Sequence, residues 1–477
     1  MHIKTFYTPY RNLLFVVILA VTTLFYSCNE EEKEISGTYI GGQIINPYSS
    51  FIRISKDRDI NDTISLNQNN RFLYTIKDNE EGIYRFSNGE YQTLYVEPGD
   101  SILLRVNTVE FDESLSFSGP GSSKNNFLIE MYLHSERENR NFGRFYNLKA
   151  KAFEEALDSM LSIRERMLEK YEEKHELSDG FREYATAVVY YDTYQRKESY
   201  PFSHFSKDKK KEIDALPEDF YSFRESVNIN NLSLQSCNAY IKYLIRYFDH
   251  MAFLEYSDSH SYNTLSYVHN EKELKLIDSL ITEPELKDEL LHITTRNFIL
   301  NSNNQNETAD IYQLFKRYAT SQDVIADITK RFENNKKLEA GNTLPDQFII
   351  AADKRVVTLS SIINKPTVLY FWSHRSHQYS KRVHAKVEEL KVKYPDYDFI
   401  GINTEKDKDG WIKNVRSHNF DVNKEYQFID PSDARNKFLL NTPNKIIVLD
   451  RRGRILNSHT SLFNIAFEQE LLGYLNK

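Results

Sequence analysis

Hydrophobic and polar residues follow one pattern between residues 37 and 121 and other patterns after it. In this first part, short apolar runs rich in β-branched and aromatic residues alternate with Asn, Asp, Gly and Pro clusters, which predicts short strands joined by turns. The predicted strands cover residues 39–45, 51–54, 63–66, 72–76, 83–86, 93–96 and 102–106. Regular spacing of this kind indicates a small antiparallel β sandwich or barrel over residues 37–121.

The middle of the chain, residues 122–335, has a helical pattern instead. Apolar side chains recur at helical spacings, as in Phe153, Leu157 and Met160 and again in Tyr240 and Leu244, while polar residues fill the other faces. No repeat period is apparent in this part, so a solenoid is not supported. We therefore predict an all-α domain.

From residue 336 to the end, strand-like and helix-like segments alternate. Strands are predicted over residues 347–351, 356–359, 366–372, 397–403, 445–450 and 455–457, and helices over residues 376–394, 409–418, 434–439 and 463–475. Such alternation predicts an α/β domain with helices on both faces of a sheet. The apolar strand 366–372 ends in a polar loop that opens into a helix, which is where α/β folds place their chemistry.

Several ordered motifs of this last part resemble thioredoxin-like proteins of the TlpA/ResA type. Phe371-Trp372 closes the strand before the loop, the sequence AGNTLPDQF occupies residues 340–348, and Thr442-Pro443 precedes the IIVLDRRGRI sequence of residues 446–455. In the family, a Cys-x-x-Cys pair begins the helix that follows Phe-Trp. Ser376 and Tyr379 occupy those two positions here.

The resemblance implies a thioredoxin-like fold for residues 336–477 and relates the chain to thiol–disulfide oxidoreductases. In the family, a cis-proline beside the active-site loop presents backbone to an extended partner. The residues that would form a docking surface of this kind are Trp372, His374, Arg375, His377, Thr442 and Pro443. The β segment, with PGD at residues 98–100 and FSGPGSSKN at residues 117–125, resembles the N-terminal β domain found ahead of many TlpA-like lipoprotein thioredoxins.

Dithiol exchange is absent from this pattern, because it needs a thiolate and a resolving thiol. Ser376 and Tyr379 provide neither, so we predict no catalytic residue. A serine hydroxyl is a poor nucleophile without an adjacent base. His374 could reach Ser376, but the sequence assigns no acid to orient it, so a serine hydrolase is not favoured.

Three histidines near the loop raise the question of a metal site. His377 and His384 are seven residues apart on the predicted helix, which separates them by about 10 Å along the axis. They therefore cannot share one ion, and His374 with His377 offers only two ligands. We interpret these histidines as part of a solvated polar loop and expect no metal and no other cofactor.

The first residues have the features of an export signal. Lys4 and Arg11 precede an apolar run over residues 13–25, and Ser27-Cys28 follows it. This end resembles a bacterial lipobox, which implies cleavage before Cys28 and its acylation. We expect a signal peptide over residues 1–27 and an acidic tether over residues 28–36. The mature protein would then be lipid-anchored in the cell envelope, at the outer membrane, and either periplasmic or surface-exposed. The alternative is an ordinary signal peptide that happens to contain a cysteine.

The cysteine content and the net charge bear on two further functions, disulfide formation and nucleic-acid binding. Cys28 and Cys237 are the only cysteines, so acylation of Cys28 would leave no intramolecular disulfide. Cys237 lies at the start of an apolar helical segment, which favours a buried and inert thiol. A net charge of −8 without a basic stripe does not favour nucleic-acid binding.

Three functions remain open at the level of the sequence. The first is a non-catalytic protein that binds a peptide or protein client while its lipid holds it to the membrane. The second is a thiol–disulfide oxidoreductase of the TlpA type, which the missing cysteines argue against. The third is a structural or assembly role in the cell envelope, which rests on analogy of fold and compartment alone. The sequence leaves the client and the oligomeric state open.

Overall fold

The computed structural model describes residues 37–56, 60–77, 81–204, 207–440 and 444–475. The predicted signal peptide, Cys28, the acidic tether, Thr442 and Pro443 lie outside the described residues. The chain divides into two compact units, the first ending at Glu138 and the second beginning at Asn139. The predicted domain boundaries near residues 121 and 335 stay predictions.

The first unit contains two four-stranded sheets. Its strands are β1 (Tyr39–Ile45), β2 (Phe51–Lys56), β3 (Ile60–Ser65), β4 (Arg71–Thr75), β5 (Gly82–Asn88), β6 (Glu90–Val96), β7 (Ser101–Asn107) and β8 (Ser116–Ser118). One sheet has the order β4-β1-β7-β8 and the other β3-β2-β5-β6. Buried side chains of both sheets form one apolar core between them, as in a sandwich. The predicted strands and the sandwich are therefore confirmed.

One pairing in this unit differs from the antiparallel prediction. β1 runs parallel to β7, with Tyr39 opposite Ser101, whereas β1 runs antiparallel to β4. A parallel neighbour needs a long connection, and the intervening strands provide it here. In β7 the alternation of buried Ile102, Leu104 and Val106 with outward Leu103 fixes which face meets the core.

Two helices complete the first unit: α1 (Phe111–Ser114) and α2 (Ser122–Asn139). The Asn125 side chain at the start of α2 accepts a hydrogen bond from the backbone N–H of Tyr95 at 2.8 Å and donates one to its carbonyl oxygen at 2.9 Å. Ile129, one turn further along, adds to the sandwich core. Although the sequence groups α2 with the helical domain, this helix packs with the sheets.

The second unit begins with helices. They are α3 (Ala150–Glu172), α4 (Asp179–Ser203), α5 (Lys209–Asp214), α6 (Asn238–Leu254), α7 (Tyr267–Leu280), α8 (Pro284–Asn301), α9 (Gln305–Tyr318) and α10 (Gln322–Lys337). Short 3₁₀ helices occupy Phe142–Asn147, Ser222–Ser226 and Leu232–Leu234. Each long helix buries one face; α3, for example, buries Phe153 and Leu157. The predicted helical region is thus confirmed.

A seven-stranded sheet follows in the same unit, with the order β10-β9-β13-β12-β11-β14-β15. Its strands are β9 (Phe348–Ala351), β10 (Val356–Thr358), β11 (Thr367–Trp372), β12 (Asp398–Asn403), β13 (Glu425–Phe428), β14 (Ile446–Leu449) and β15 (Ile455–Thr460). Its helices are α11 (His377–Lys393), α12 (Lys408–Ser417), α13 (Pro431–Lys437) and α14 (Phe467–Leu475), with a 3₁₀ turn at Ser360–Ile362. The sequence did not predict β13, which inserts between β9 and β12.

Helices cover both faces of this sheet, as predicted. β11 is buried throughout, so its alternate residues supply two different cores. Tyr370 and Trp372 face the layer formed with α11, α12 and α14. Leu369 and Phe371 face the opposite layer, which contains Ala434 of α13. Within the described residues, no helix combines the length and the apolar character that a membrane span requires.

Candidate functional site

The candidate site lies where β11 passes into α11. Residues 373–376 form the connecting loop, and Ser376 precedes the first turn of the helix. The side chains of Arg375, Ser376, His377 and Gln378 are exposed. The strand, loop and helix are therefore arranged as the sequence predicts, and the loop presents polar side chains to solvent.

Neither of the two positions at which the resemblance expects a cysteine carries a thiol. Ser376 is the N-cap residue of α11, but its side chain makes no capping hydrogen bond. Tyr379, one turn further, is partly buried against the sheet core. Burial raises the pKa of Tyr379 well above its usual value, so this side chain remains a neutral phenol.

A buried carboxylate lies under this loop. Glu425 begins β13, and only 2% of its surface is exposed. Its oxygens accept hydrogen bonds from the Tyr370 hydroxyl and from Nε1–H of Trp372 at 2.8 Å. Nε2 of His384, on α11, lies 3.2 Å from Glu425 Oε1. We call Tyr370, Trp372, His384 and Glu425 the Glu425 cluster.

Several contacts hold the His384 ring in place. Nδ1 of His384 lies 2.8 Å from the carbonyl oxygen of Ser380, and because a carbonyl can only accept, Nδ1 carries a proton. Nε2 on the other side of the ring faces the Glu425 carboxylate. The His384 ring also stacks on Phe420, with ring centres 3.5 Å apart. These contacts hold the imidazole in one orientation.

The backbone leaves room for this carboxylate at one glycine. Gly401 of β12 pairs with Glu425 of β13. A Cβ atom on Gly401 would overlap both carboxylate oxygens and the Tyr370 hydroxyl. Burial, and after it the charge of Glu425, raises the pKa of Tyr370 far above its usual value. Tyr370 therefore stays protonated as a hydrogen-bond donor to Glu425.

A second polar group lies at the loop itself. His374 is 7% exposed, with Nδ1 3.4 Å from Asn403 Oδ1 and Nε2 3.5 Å from Asp407 Oδ2. The Ser373 hydroxyl donates to Glu405 at 2.8 Å. A backbone hydrogen bond from Gly410, followed by the charges of His374 and Arg375, holds the pKa of Asp407 below its usual value.

These positions correct the interpretation of the three histidines as a solvated loop. Only His377 is exposed; His374 and His384 are buried and each contacts a carboxylate. The possible contact between His374 and Ser376 does not form, since both ring nitrogens of His374 are directed at Asn403 and Asp407. The part of the chain that the structure describes contains no cluster of ligating side chains suited to a metal ion.

The predicted docking residues are distributed unevenly over the surface. Arg375 and His377 are exposed, whereas His374 is mostly buried and Trp372 is enclosed in the core. Trp372 therefore packs in the core beneath the loop and presents no side-chain surface to a partner. Thr442 and Pro443 are outside the described residues. Binding by any of these residues stays a prediction.

Cys237 is located in the helical region, directly before α6. It is a free cysteine with 1% of its surface exposed. Burial raises its pKa to about 11, and hydrogen bonds from backbone groups offset this only in part. The prediction of a buried thiol is confirmed, and the raised pKa leaves very little thiolate at neutral pH.

Comparison with known proteins supports the fold of the C-terminal part. A family model described as thioredoxin-like matches residues 364–455. No curated protein matches the sequence of this chain. The C-terminal sheet and its helices therefore constitute a thioredoxin-like domain.

Three solved structures each match 29% of this chain. The C-terminal domain of a proposed thiol-disulfide oxidoreductase from Bacteroides thetaiotaomicron is 20% identical over 29% of this chain and 98% of its own, with a TM-score of 0.26. A proposed thiol:disulfide interchange protein from Chlorobium tepidum is 20% identical over 29% of this chain and 99% of its own, with a TM-score of 0.25. The thioredoxin domain of a thiol-disulfide oxidoreductase from Bacteroides vulgatus is 15% identical over 29% and 96%, with a TM-score of 0.25.

Sequence reasoning missed the Glu425 cluster entirely. Glu425 and Gln427 give β13 a polar composition, and this strand was not predicted. One signal was present: Gly401 interrupts an otherwise apolar strand, and a glycine in a strand interior often marks the close approach of another group.

Proposed function

We propose that this protein is an exported, lipid-anchored thioredoxin-like protein that lacks the redox dithiol and binds a peptide or protein client without catalysing a reaction. The observation that carries the proposal is the start of α11, where Ser376 and Tyr379 stand at the positions of the family's cysteine pair. The one thiol that remains in the expected mature chain, that of Cys237, is buried in a different region.

The groups beneath the loop support a binding role over a catalytic one. Glu425 is enclosed by Tyr370, Trp372 and His384. Its carboxylate fills the space beside Gly401. A general acid or base must reach the atom it protonates, and this carboxylate is shielded from solvent. Because buried polar clusters with satisfied bonds give rigidity, we assign the cluster to support of the exposed residues Arg375, Ser376 and His377.

Membrane attachment is proposed on sequence evidence alone. The apolar run at residues 13–25 and Cys28 directly after Ser27 support acylation of Cys28. Replacement Cys28→Ser should move the protein from the membrane fraction to the soluble fraction and abolish incorporation of labelled palmitate. Retention of both properties in the variant would exclude a lipid on Cys28.

A thiol–disulfide oxidoreductase is the second candidate, and the thioredoxin-like fold favours it. Such an enzyme would have to use Cys237, because no other thiol remains when Cys28 is acylated. A thiolate is the attacking species in exchange, and a pKa of about 11 suppresses it. The binding role therefore fits the described residues better.

Insulin reduction by dithiothreitol separates the two candidates. The native protein should not accelerate it, whereas the double variant Ser376→Cys/Tyr379→Cys should, because it restores a dithiol at a helix start. The single variant Ser376→Cys is the matched control, since it cannot form the intramolecular disulfide. Activity of the native protein would overturn the proposal. If the double variant forms its disulfide and is still inactive, Ser376 and Tyr379 are not at the positions of the family's cysteine pair.

Cross-linking in cells tests the docking surface directly. A photoreactive amino acid at Ser376 should give discrete adducts with a client, since this position is exposed at the loop. The same amino acid at Lys413, an exposed residue of α12, serves as the control. If the two positions give the same adducts, or none, the loop is not the client-binding surface.

A further inference from the structure

A cavity of about 590 Å³ opens between the helical region and the C-terminal sheet. It borders the core layer that contains Leu439, on the sheet face opposite α11. Helices α8 and α10 contribute Arg296 and Arg331 to its lining. Lys445, directly before β14, also lines it, together with His459 and Thr460 of β15.

The charged side chains that line this cavity are all basic. Arg296, Arg331 and Lys445 line it, and no described lining residue is an Asp or a Glu. Arg331 is partly neutralised, because its Nε lies 2.7 Å from Asp327 Oδ2. Among the described residues Arg296 has neither an ion pair nor a side-chain hydrogen bond. Burial, and then the charge of Arg331, lowers the pKa of Arg296.

Among the residues that line the cavity, Lys445 gives the strongest indication of what the cavity binds. Only 9% of its surface is exposed, and its Nζ is buried with no hydrogen-bond partner within the described residues. Burial lowers the pKa of Lys445 to about 8, so the amine still carries its proton at neutral pH. A buried charge without a partner is costly, and proteins normally pair such groups. Within the described residues, Lys445 therefore has no counter-ion.

Two neighbours on β15 add polarity without negative charge. Burial, and then the charge of Lys445, lowers the pKa of His459 to about 4, so this ring is neutral at pH 7. The hydroxyl oxygen of Thr460 is buried without a hydrogen-bond partner in the described part of the chain. Both side chains can bond to a polar ligand held by Lys445.

We propose that this cavity binds a small organic anion through an oxyanion group, with Lys445 and Arg296 as its counter-ions. The volume is within the range of about 300–1,000 Å³ that is typical of small-molecule sites. A water molecule takes up about 30 Å³ in the liquid, so the cavity has room for far more than one tetrahedral ion. A molecule larger than a tetrahedral ion therefore fits, with the oxyanion group at one end. The inference does not depend on the proposed client binding.

Thermal unfolding of the full-length chain in detergent tests this site. The two tryptophans, Trp372 and Trp411, both lie in the thioredoxin-like domain, so their fluorescence reports on that domain. Inorganic phosphate, inorganic sulfate and glucuronate are titrated separately, with sodium chloride keeping the ionic strength constant. At least one of them should raise the midpoint saturably, and the responding anion identifies the oxyanion as phosphate, sulfate or carboxylate.

Variants assign the effect to the cavity. Lys445→Met and Arg296→Gln should each weaken the apparent affinity about tenfold or more, because each removes a charge-assisted hydrogen bond. Lys413→Met, which alters an exposed lysine outside the cavity, should bind as the native chain does. Arg296 is only partly buried, so its variant remains a valid test if Lys445→Met fails to fold.

The pH dependence gives a second measurement. The affinity of the native chain should fall as the pH rises above about 8, since Lys445 then loses its proton. The other groups that face the cavity are Arg296, Arg331 and neutral His459, with Glu289 and Asp327 beside the arginines. Absence of a saturable shift with all three anions, or an unchanged response in both variants, would overturn the proposal.

Discussion

Gly401 lies directly opposite Glu425 in the parallel pairing of β12 with β13, and the Glu425 carboxylate occupies the space that a side chain at position 401 would fill. A methyl group there would overlap both carboxylate oxygens and the Tyr370 hydroxyl. The buried cluster under the loop therefore depends on the absence of one Cβ atom in the neighbouring strand.

Replacement of this glycine tests the relationship. Gly401→Ala should lower the free energy of unfolding of the thioredoxin-like domain by about 1–3 kcal/mol, the usual cost of overpacking a core. Urea unfolding followed by tryptophan fluorescence measures it. Gly473→Ala in α14 is the matched control, because a Cβ there meets no atom within 4 Å. Equal stability of the two variants would contradict the steric argument.

Removal of the carboxylate should be more damaging than removal of its charge. Glu425→Leu leaves the donors of Tyr370 and Trp372 without an acceptor, and we expect a loss of about 3 kcal/mol or more. Glu425→Gln keeps one acceptor oxygen, so its loss should be smaller. Urea unfolding compares the two variants.

The control for this series is Glu388→Gln on the exposed side of α11. Glu388 pairs only with Lys391 among the described residues, at 2.7 Å, and an exposed ion pair contributes about 0–1 kcal/mol. If Glu425→Leu were no less stable than this control, the cluster would have no structural importance.

The thiol of Cys237 should be unreactive in the folded protein. In a Cys28→Ser background at pH 8, a thiol-specific reagent should label Cys237 only after unfolding, because burial both excludes the reagent and raises the pKa to about 11. Adding Ser376→Cys provides an exposed comparison thiol that should react at once. Comparable native rates for the two thiols would revive the redox hypothesis.

His459 should make the C-terminal domain sensitive to acid. Its folded-state pKa of about 4 is below the ordinary value of 6.5, so between these pH values the unfolded chain binds the proton more readily. Stability is therefore complete above pH 6.5 and is lost as the pH falls toward 4, by up to about 3 kcal/mol. His459→Gln should reduce this loss in urea unfolding between pH 7 and pH 4.5. Parallel curves for variant and native protein would contradict it.

Local patterns predicted most of the secondary structure, and pairing between distant strands was harder to foresee. The first seven strands follow from runs of β-branched and aromatic residues between turns, as in Tyr39–Ile45. The parallel pairing of β1 with β7 is a contact between residues far apart in sequence, and local alternation carries no information about it. It therefore appears only in the three-dimensional structure.

Some features of the candidate site could be predicted from the local sequence, and others depend on contacts between distant residues. The strand, loop and helix around Ser376 follow from local pattern and from the family resemblance. Burial of His384 depends on contacts with Phe420 and Glu425, which come from other parts of the chain. β13 was missed because Glu425 and Gln427 are polar residues of a kind that is usually exposed. Both are buried here, and each forms a hydrogen bond to a residue distant in sequence.

The position of β1 in its sheet has a consequence for the order of folding. β1 is flanked by β4 on one side and by β7 on the other. A chain that emerges from its N-terminus can form the antiparallel β1–β4 pair early, but the other edge of β1 stays open until Ser101–Asn107 arrives. Closing such a non-local pair is slow, and an open strand edge invites pairing with other chains. The first unit is thus most prone to aggregate in the interval before its seventh strand is in place.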